Sequence, residues 1–259
     1  MRDGDTDLHA VNGFSAAGPI SMRADPFVLR QLPIFDGLDD DLAHKLIRSC
    51  SARQYRAGAF VVRAGEPLDG LHIVGRGIID LTHVDGEDEC GVLLLSAKDL
   101  LLPATTLFRE PALVSARALT TAKVIVIDGA VTQEAMNSST VFAINAMKAV
   151  SGQWRMAVRN ILDLNCRSAA QRLGAFLLRI ADLQPGAGAA VLPIPKRHLA
   201  VRLGMTAETL SRMLQVVANH GLYLRGRTII IRDRSAIEEF CGPDPYPEKD
   251  ERVLDVFAL

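Results

Sequence analysis

Three polar residues near position 210 have the types and the spacing needed to read the edges of base pairs. Glu208 is followed by Ser211 and Arg212, so on a helix the three side chains share one face. A carboxylate accepts a hydrogen bond from cytosine N4, a guanidinium donates two to guanine O6 and N7, and a hydroxyl does either. Thr209 and Gln215 add hydrogen-bonding groups to the same segment. The segment therefore predicts contact with nucleic acid.

The surrounding sequence predicts a helix-turn-helix that would position these side chains. Thr206 is a good N-cap for a helix running to about residue 220, and apolar residues recur along it at helical spacing from Leu210 to Val217. A shorter helix over 196–203 precedes it, and Gly204 and Met205 form the turn between them. In this arrangement the second helix lies in the major groove of DNA.

Basic residues flank this unit at places where phosphates would lie. Residues 166–240 contain eleven Arg or Lys against five Asp or Glu, whereas the rest of the chain is acidic. Lys196 and Arg197 open the first helix, and Arg225 and Arg227 surround a glycine turn in a predicted two-stranded wing. These four residues are predicted phosphate contacts, which set affinity but not sequence choice.

Residues 132–165 are predicted to form a long helix with a heptad pattern of apolar residues. Such a pattern implies a partner helix, and for a DNA-binding protein the natural partner is a second copy of the chain. The predicted interface residues alternate spacings of three and four: Ile144, Met147, Ser151, Trp154, Val158 and Ile161.

Residues 51–128 contain six short β-rich runs separated by Gly, Pro or Asp turns, which predict a small antiparallel barrel or jelly roll. The predicted fold is therefore α+β. Its parts are a flexible N-terminus over 1–24, a barrel over 25–131, a dimerisation helix over 132–165, a winged helix-turn-helix over 166–240 and a tail over 241–259.

The composition narrows the possible classes of protein. The four cysteines form no CxxC pair, which indicates reduced thiols and no structural metal site. The polar start has no signal-peptide core, and no apolar run approaches a membrane span. We therefore expect a cytoplasmic protein without membrane partners.

The layout over residues 28–240 resembles the CRP/FNR family of bacterial transcription regulators. The resemblance rests on the barrel glycines Gly58, Gly65 and Gly77, on the long helix, and on the sequence LGMTAETLSR. The branch that includes the DNR-type and FtrB regulators is the most similar. The resemblance implies a cyclic-nucleotide-binding-type barrel, a homodimer, a palindromic DNA site with half-sites close to TTGAT, and contact with RNA polymerase.

The same resemblance argues against cyclic AMP as the signal. Members that bind it use a Gly-Glu pair for the ribose and an Arg before Ser or Thr for the phosphate. This chain has Leu102 and Pro103 at the first place and Val114 at the second. Three weaker candidates for an effector contact remain: Arg117, Ser115 and His72.

Several alternatives remain for the signal. Haem-dependent gas sensing is possible, and so is DNA binding without any small-molecule effector. A cupin-type enzyme is disfavoured, because His72 and His83 lack the HxH spacing of a cupin metal site. The sequence predicts a dimeric DNA-binding regulator, not an enzyme, that senses a signal other than cyclic AMP.

Overall fold

The structure is a computed structural model that describes residues 19–22, 24–85, 88–184 and 189–243. It confirms the α+β fold: an antiparallel barrel comes first, a long helix follows, and a small helical unit with its own sheet ends the described chain. Among these residues no helix is long and apolar enough to cross a membrane.

In the described residues, nine α-helices accompany a single 3-10 turn, Pro33–Phe35. The helices are α1 Pro26–Arg30, α2 Asp40–Arg48, α3 Pro103–Leu107, α4 Gly129–Ser138, α5 Thr140–Cys166, α6 Ala169–Asp182, α7 Lys196–Arg202, α8 Ala207–Asn219 and α9 Arg234–Cys241. The strands are β1 Ile20–Met22, β2 Cys50–Tyr55, β3 Phe60–Val62, β4 Gly70–Arg76, β5 Ile79–Asp85, β6 Asp88–Leu95, β7 Leu100–Leu101, β8 Ser115–Ala118, β9 Ala122–Asp128, β10 Ala190–Val191, β11 Leu222–Arg225 and β12 Thr228–Ile231.

Two antiparallel sheets form the barrel, in the orders β1-β2-β9-β4-β7 and β3-β8-β5-β6. Successive side chains of a strand face opposite sides of its sheet. On β5, Ile79 and Leu81 enter the barrel core, whereas Asp80 and Thr82 face outward. Part of the outward side of this sheet is nevertheless buried, because Asp80 is 0% and Thr82 1% exposed.

The predicted single helix over 132–165 is in fact two helices. Ser139 adopts an extended conformation with φ −122° and ψ 108°, which ends α4, and its side chain caps α5 by accepting from the Phe142 amide at 3.2 Å. The first amide groups of a helix have no acceptor within the helix, and a serine hydroxyl in this position accepts a hydrogen bond from one of them. The helix that carries the heptad pattern therefore begins at Thr140.

A third sheet and four helices form the C-terminal unit. The sheet has the order β10-β12-β11, and α6 and α8 pack beside it around a core that includes Leu173, Leu177 and Leu210. Ile78, from the barrel, belongs to this same buried cluster, and Leu94 and Leu119 pack against it. The barrel and the C-terminal unit thus share apolar contacts.

The predicted terminal segments lie largely outside the described residues. Within the predicted flexible N-terminus, residues 20–22 form an edge strand that pairs antiparallel with β2. Of the predicted tail, only residues 241–243 are described, and Cys241 is the last residue of α9.

Candidate nucleic-acid interface

The helix-turn-helix forms where the sequence predicted it. Helix α7 ends at Arg202, and Gly204 turns the chain with φ +62°, in the left-handed region that glycine occupies without strain. Thr206 then caps α8, since its hydroxyl accepts from the Thr209 amide at 3.1 Å. Glu208 in the first turn suits the positive end of the helix dipole.

One side of α8 anchors the helix in the C-terminal core. Leu210 and Val217 are 3% and 0% exposed, and Met213 and Leu214 pack partly buried against the same cluster. Full burial of one such side chain contributes about 1.5–3 kcal/mol, so Leu210 and Val217 alone hold the helix by several kcal/mol. The other side is consequently free to face a partner.

That other side is polar and exposed. Glu208, Ser211, Arg212 and Gln215 are all exposed, whereas Thr209 is half-buried. The Arg212 Nη2 lies 3.4 Å from the Thr209 Oγ1, which in turn is 3.0 Å from the Thr206 Oγ1. The capping residue therefore also helps to position the arginine. The structure places the predicted base-reading side chains together on one helix face.

Lys196 and Arg197 are exposed in the first turn of α7. Two cations at a helix N-terminus oppose the helix dipole, so helix stability does not account for them. The Arg197 Nε donates to the His198 Nε2 at 3.0 Å, which fixes the arginine stem against the helix. Burial is the main cause that lowers the pKa of His198 below its usual value. The nearby positive charges of Arg117 and Arg197 lower it further.

The wing forms as predicted, with an exposed basic turn. β11 and β12 pair so that Arg225 lies opposite Thr228, and Gly226 between them has φ +60°. The Arg227 Nε donates to the Leu192 carbonyl at 2.8 Å, which ties the turn to the segment before α7. Both arginines are exposed.

The predicted dimer residues form an exposed apolar stripe along α5. Ile144, Met147, Trp154 and Ile161 are 47%, 69%, 67% and 52% exposed. Ser151 is also exposed, and Val158 is half-buried. The opposite side of the helix is already occupied: Phe142 is 0% exposed, and the Asn145 Nδ2 donates to the Asp36 carbonyl at 2.7 Å.

The structure does not bring the three candidate effector residues together. Ser115 and Arg117 face outward from β8, because Ala116 and Ala118 occupy the core side. The Ser115 hydroxyl accepts from the Ala64 amide at 3.0 Å, and Arg117 forms an ion pair with Glu89. His72 lies in the other sheet, 1% exposed.

His72 is held between two protein groups. Its Nδ1 is 2.7 Å from the Gly70 carbonyl and its Nε2 is 3.5 Å from an Asp69 carboxylate oxygen. Burial lowers the pKa of this histidine. The Nε2 has no hydrogen-bond partner, and the burial of the ring is explained by packing within the sheet.

Apolar residues occupy the places that the resemblance associates with the ribose and the phosphate of cyclic AMP. Leu102 and Val114 both pack against the barrel core, together with Met156 and Ala157 from α5. Leu102 also has φ +43°, a left-handed conformation that glycine adopts more easily. The barrel core is thus apolar and contacts the helix that carries the exposed stripe.

Sequence reasoning missed a group of polar and charged side chains on β5 and α7, where the barrel meets the C-terminal unit. Asp80, Thr82 and Arg202 each have a buried side-chain atom without a hydrogen-bond partner. The alternation of Asp80 and Thr82 with Ile79 and Leu81 is also the pattern of a solvent-facing strand. That face is buried only because the C-terminal unit packs against it.

Two family models match this chain. The cyclic nucleotide-binding domain matches residues 52–139, and the Crp-like helix-turn-helix domain matches residues 171–240. Together they cover more than half of the sequence. The nitrogen fixation regulation protein FixK of Rhizobium meliloti (strain 1021) is 32% identical over 96 residues. That alignment covers 36% of this chain and 45% of FixK, so it spans less than half of the relative.

Solved structures share the fold over most of the chain. FixK2 from Bradyrhizobium japonicum superposes with a TM-score of 0.66 at 21% identity, covering 75% of this chain and 98% of FixK2. A CRP/FNR family transcriptional regulator from Thermus thermophilus gives a TM-score of 0.61 at 21% identity, covering 73% of this chain and 97% of the regulator.

A nucleotide-binding-type barrel, a long helix and a winged helix-turn-helix in this order define a class of transcription regulators. The chain belongs to that class through both of its matched domains. It is a member of the CRP/FNR family of transcription regulators.

Proposed function

We propose that the protein is a homodimeric, sequence-specific DNA-binding regulator in which α8 reads the major groove. The observation that carries the proposal is the exposed polar face of α8, on a helix that is capped at Thr206 and anchored by Leu210 and Val217. Glu208 would accept from cytosine, Arg212 would donate to guanine, and Ser211 would take either role. Thr206, Thr209 and Gln215 complete this face.

Phosphate contacts would come from two places beside the recognition helix. Lys196 and Arg197 project from the start of α7, and Arg225 and Arg227 project from the wing. All four are exposed, so the segments that precede and follow α8 in the chain both carry positive charge. Such contacts position a protein on the duplex and make its affinity depend on salt.

The exposed stripe on α5 supports a second copy of the chain as partner. The stripe repeats at heptad spacing, contains the single tryptophan, and ends where the C-terminal unit begins. Self-association through these residues would place two recognition helices about a two-fold axis. The expected DNA site is therefore a palindrome with half-sites close to TTGAT, whose centres are about one helical turn apart.

The barrel would sense a signal other than cyclic AMP. Leu102 and Val114 remove the ribose and phosphate contacts that the resemblance associates with that ligand, and Met156 of α5 packs against the same core. An apolar ligand entering this core would press directly on the proposed dimer helix. Regulation of transcription would further involve contact with RNA polymerase.

Selection of bound sequences from a random DNA pool tests the proposal. We expect the purified protein to enrich a palindrome containing a TTGAT-like half-site, and to shift it as a complex with two protein chains. Recovery of no palindromic sequence would refute sequence-specific binding as a dimer. An absorption spectrum of the same preparation checks for bound haem.

A further inference from the structure

A cavity of about 450 Å³ lies where α5, α6 and α9 meet in the described part of the chain. Its volume is within the range of about 300–1,000 Å³ that is usual for ligand-binding pockets. Four arginines line it together with two carboxylates: Arg159, Arg167, Arg179 and Arg234 with Asp182 and Glu238. None of the described residues that line it belongs to α8 or to the wing, so the cavity is separate from the proposed DNA-binding face.

Arg167, which follows the last residue of α5, holds the point where the chain leaves α9. Its Nη1 donates to the Cys241 carbonyl at 2.6 Å, and its Nη2 donates to the Pro243 carbonyl at 3.2 Å. Its Nε lies 3.0 Å from an Asp163 oxygen, in an ion pair whose side chains are each 13% exposed. The end of α9 is therefore fixed against the end of α5, and Pro243 lies at the edge of the cavity.

Two more arginines form ion pairs around the cavity. The Arg179 Nη2 lies 2.7 Å from the second Asp163 oxygen. Arg234 lies 2.6 Å from Asp182 and 2.7 Å from Glu238, and these three side chains are about half-exposed, so water weakens both pairs. Four arginines face three carboxylates when Asp163 is counted, so a positive charge remains for a further carboxylate to neutralise.

Apolar side chains of α6 form another part of the wall. Ala175 and Leu178 are 6% and 8% exposed, and Leu183 is the C-cap of the helix. Helix α9 packs closely against α6 here, because a Cβ on Gly174 would lie 2.5 Å from the Cys241 Sγ. The cavity therefore offers both cationic and apolar contacts to a single occupant.

The residues that follow Pro243 in the sequence have a composition that complements the cavity. Segment 244–259, DPYPEKDERVLDVFAL, contains five acidic residues against two basic ones, and apolar residues dominate its second half. Because the segment is joined to Pro243 at the edge of the cavity, its docking is an intramolecular event. For a short tether the effective concentration is in the millimolar range, so even individually weak contacts are populated.

We propose that this cavity is the docking site of the chain's own segment 244–259. Its carboxylates would pair with Arg179 and Arg234, and its apolar side chains would cover Leu178 and Leu183. A docked segment joins α9 to the ends of α5 and α6, and so stabilises the C-terminal unit against local unfolding. The proposal does not depend on DNA binding.

Trypsin digestion of the full chain tests the docking, because Lys249 and Arg252 are the two tryptic sites of segment 244–259. Undocked terminal segments are preferred sites of cleavage. A synthetic peptide of residues 240–259 supplies the cleavage rate of the undocked sequence, and intact-mass spectrometry follows the loss of these residues from the protein. At 50 mM NaCl we expect cleavage in the protein to be about tenfold slower than in the peptide. At 1 M NaCl, where screening acts within about 3 Å, the difference should fall to about threefold or less.

Two variants locate the docked segment. Arg234→Gln removes a cation of the cavity, and the triple variant Glu248→Gln, Asp250→Asn and Glu251→Gln removes carboxylates of the segment. Both should be cleaved within about threefold of a peptide of the matching sequence, because attraction between opposite charges is lost. The triple variant changes no described residue, so it leaves the fold intact. Arg30→Gln is the matched control: Arg30 is also exposed and ion-paired, to Asp40 of α2, and this variant should keep the full protection.

Cleavage of the unmodified protein as fast as the peptide at 50 mM NaCl would overturn the proposal. Protection that survives both 1 M NaCl and Arg234→Gln would also overturn it, because the segment would then be held at another place. An equal loss of protection in Arg30→Gln and Arg234→Gln would show a general charge effect in place of docking in the cavity.

Discussion

Arg117 and Glu89 form an ion pair from the strands on either side of β5, above the outward face that carries Asp80. The pair is largely buried, with side-chain exposures of 21% and 27%. This geometry gives Arg117 a carboxylate partner outside the barrel core. Arg117, a weak effector candidate from the sequence, therefore faces away from the barrel core.

We predict that cyclic AMP does not bind in the micromolar range. Leu102 and Val114 replace the groups that would meet the ribose and the phosphate, and hydrogen bonds to charged groups contribute about 1.5–3 kcal/mol each. Isothermal titration calorimetry of the purified protein with cyclic AMP should give no saturable heat at micromolar ligand.

The Arg117→Ala variant serves as a control for this prediction. If calorimetry showed micromolar binding that Arg117→Ala abolished, the outward arginine would have to reorganise to hold the phosphate. That result would contradict the assignment of Arg117 to a structural ion pair.

We predict that Trp154→Glu combined with Val158→Glu abolishes self-association. The two residues are one helical turn apart in the exposed stripe of α5, and a two-fold interface would bring like charges together in a desolvated place. Light scattering should report a single chain, and palindrome binding should be lost together with the dimer. Circular dichroism should show the fold intact, because Trp154 is 67% exposed in the single chain.

Arg155→Glu is the matched control, since it adds a negative charge at a neighbouring exposed position outside the heptad pattern. It should remain dimeric. A doubly substituted protein of dimeric mass would show that the stripe is not the interface.

We predict that the free energy of unfolding of the protein falls as pH rises, compared with that of the Asp80→Asn variant. Burial raises the pKa of Asp80 from 3.8 to about 7, against the opposing attraction of Arg202. Between these two values the folded protein holds a proton that the unfolded chain releases, so stability is lost as pH rises through 7. Since one pKa unit corresponds to about 1.4 kcal/mol, the loss is on the order of 4 kcal/mol.

Urea unfolding of both proteins from pH 4 to pH 8.5 measures this difference. The comparison with Asp80→Asn removes the contribution of other groups, such as Asp69, whose pKa is lowered and which acts in the opposite direction. The charges of Arg202, Glu89 and Arg117 act on position 80 in both proteins. If the free energies of unfolding of the two proteins changed in parallel with pH, Asp80 would be ionised at neutral pH without destabilising the fold.

The sequence predicted the parts that follow from periodicity and capping. Thr206, the apolar stripe of α8 and the β-rich run that becomes β5 depend on local chemistry, and the structure shows each of them. Strand β2 was harder to recognise, because Cys50–Tyr55 has few apolar residues and gains its place by pairing with β9. The break at Ser139 was missed, since a serine inside a helical pattern is equally compatible with an exposed helical position.

The buried face of β5 could not be predicted at all. Its burial depends on the packing of α7, which is more than a hundred residues further along the chain. No local sequence pattern indicates that contact. Gly91 permits it because it has no side chain, but it looks like any other glycine in a strand.

We predict that Arg212 reads a guanine in each half-site. This residue is exposed on α8 beside Thr209, where a bidentate contact to guanine O6 and N7 is sterically open. Arg212→Ala should cost roughly 1–3 kcal/mol and relax selection at that guanine, while the other positions of the half-site keep their preference. Binding to a set of duplexes with single base changes measures both effects.

Arg225→Ala provides the contrast, because it removes the same charge from the wing turn without touching α8. A phosphate contact carries no sequence choice, so all duplexes should weaken alike and the slope of log affinity against log salt should fall by about 1. If the Arg212→Ala variant kept full discrimination at the guanine, another residue would have to read that base. Altered base preference in Arg225→Ala would place the wing in a groove and not on the backbone.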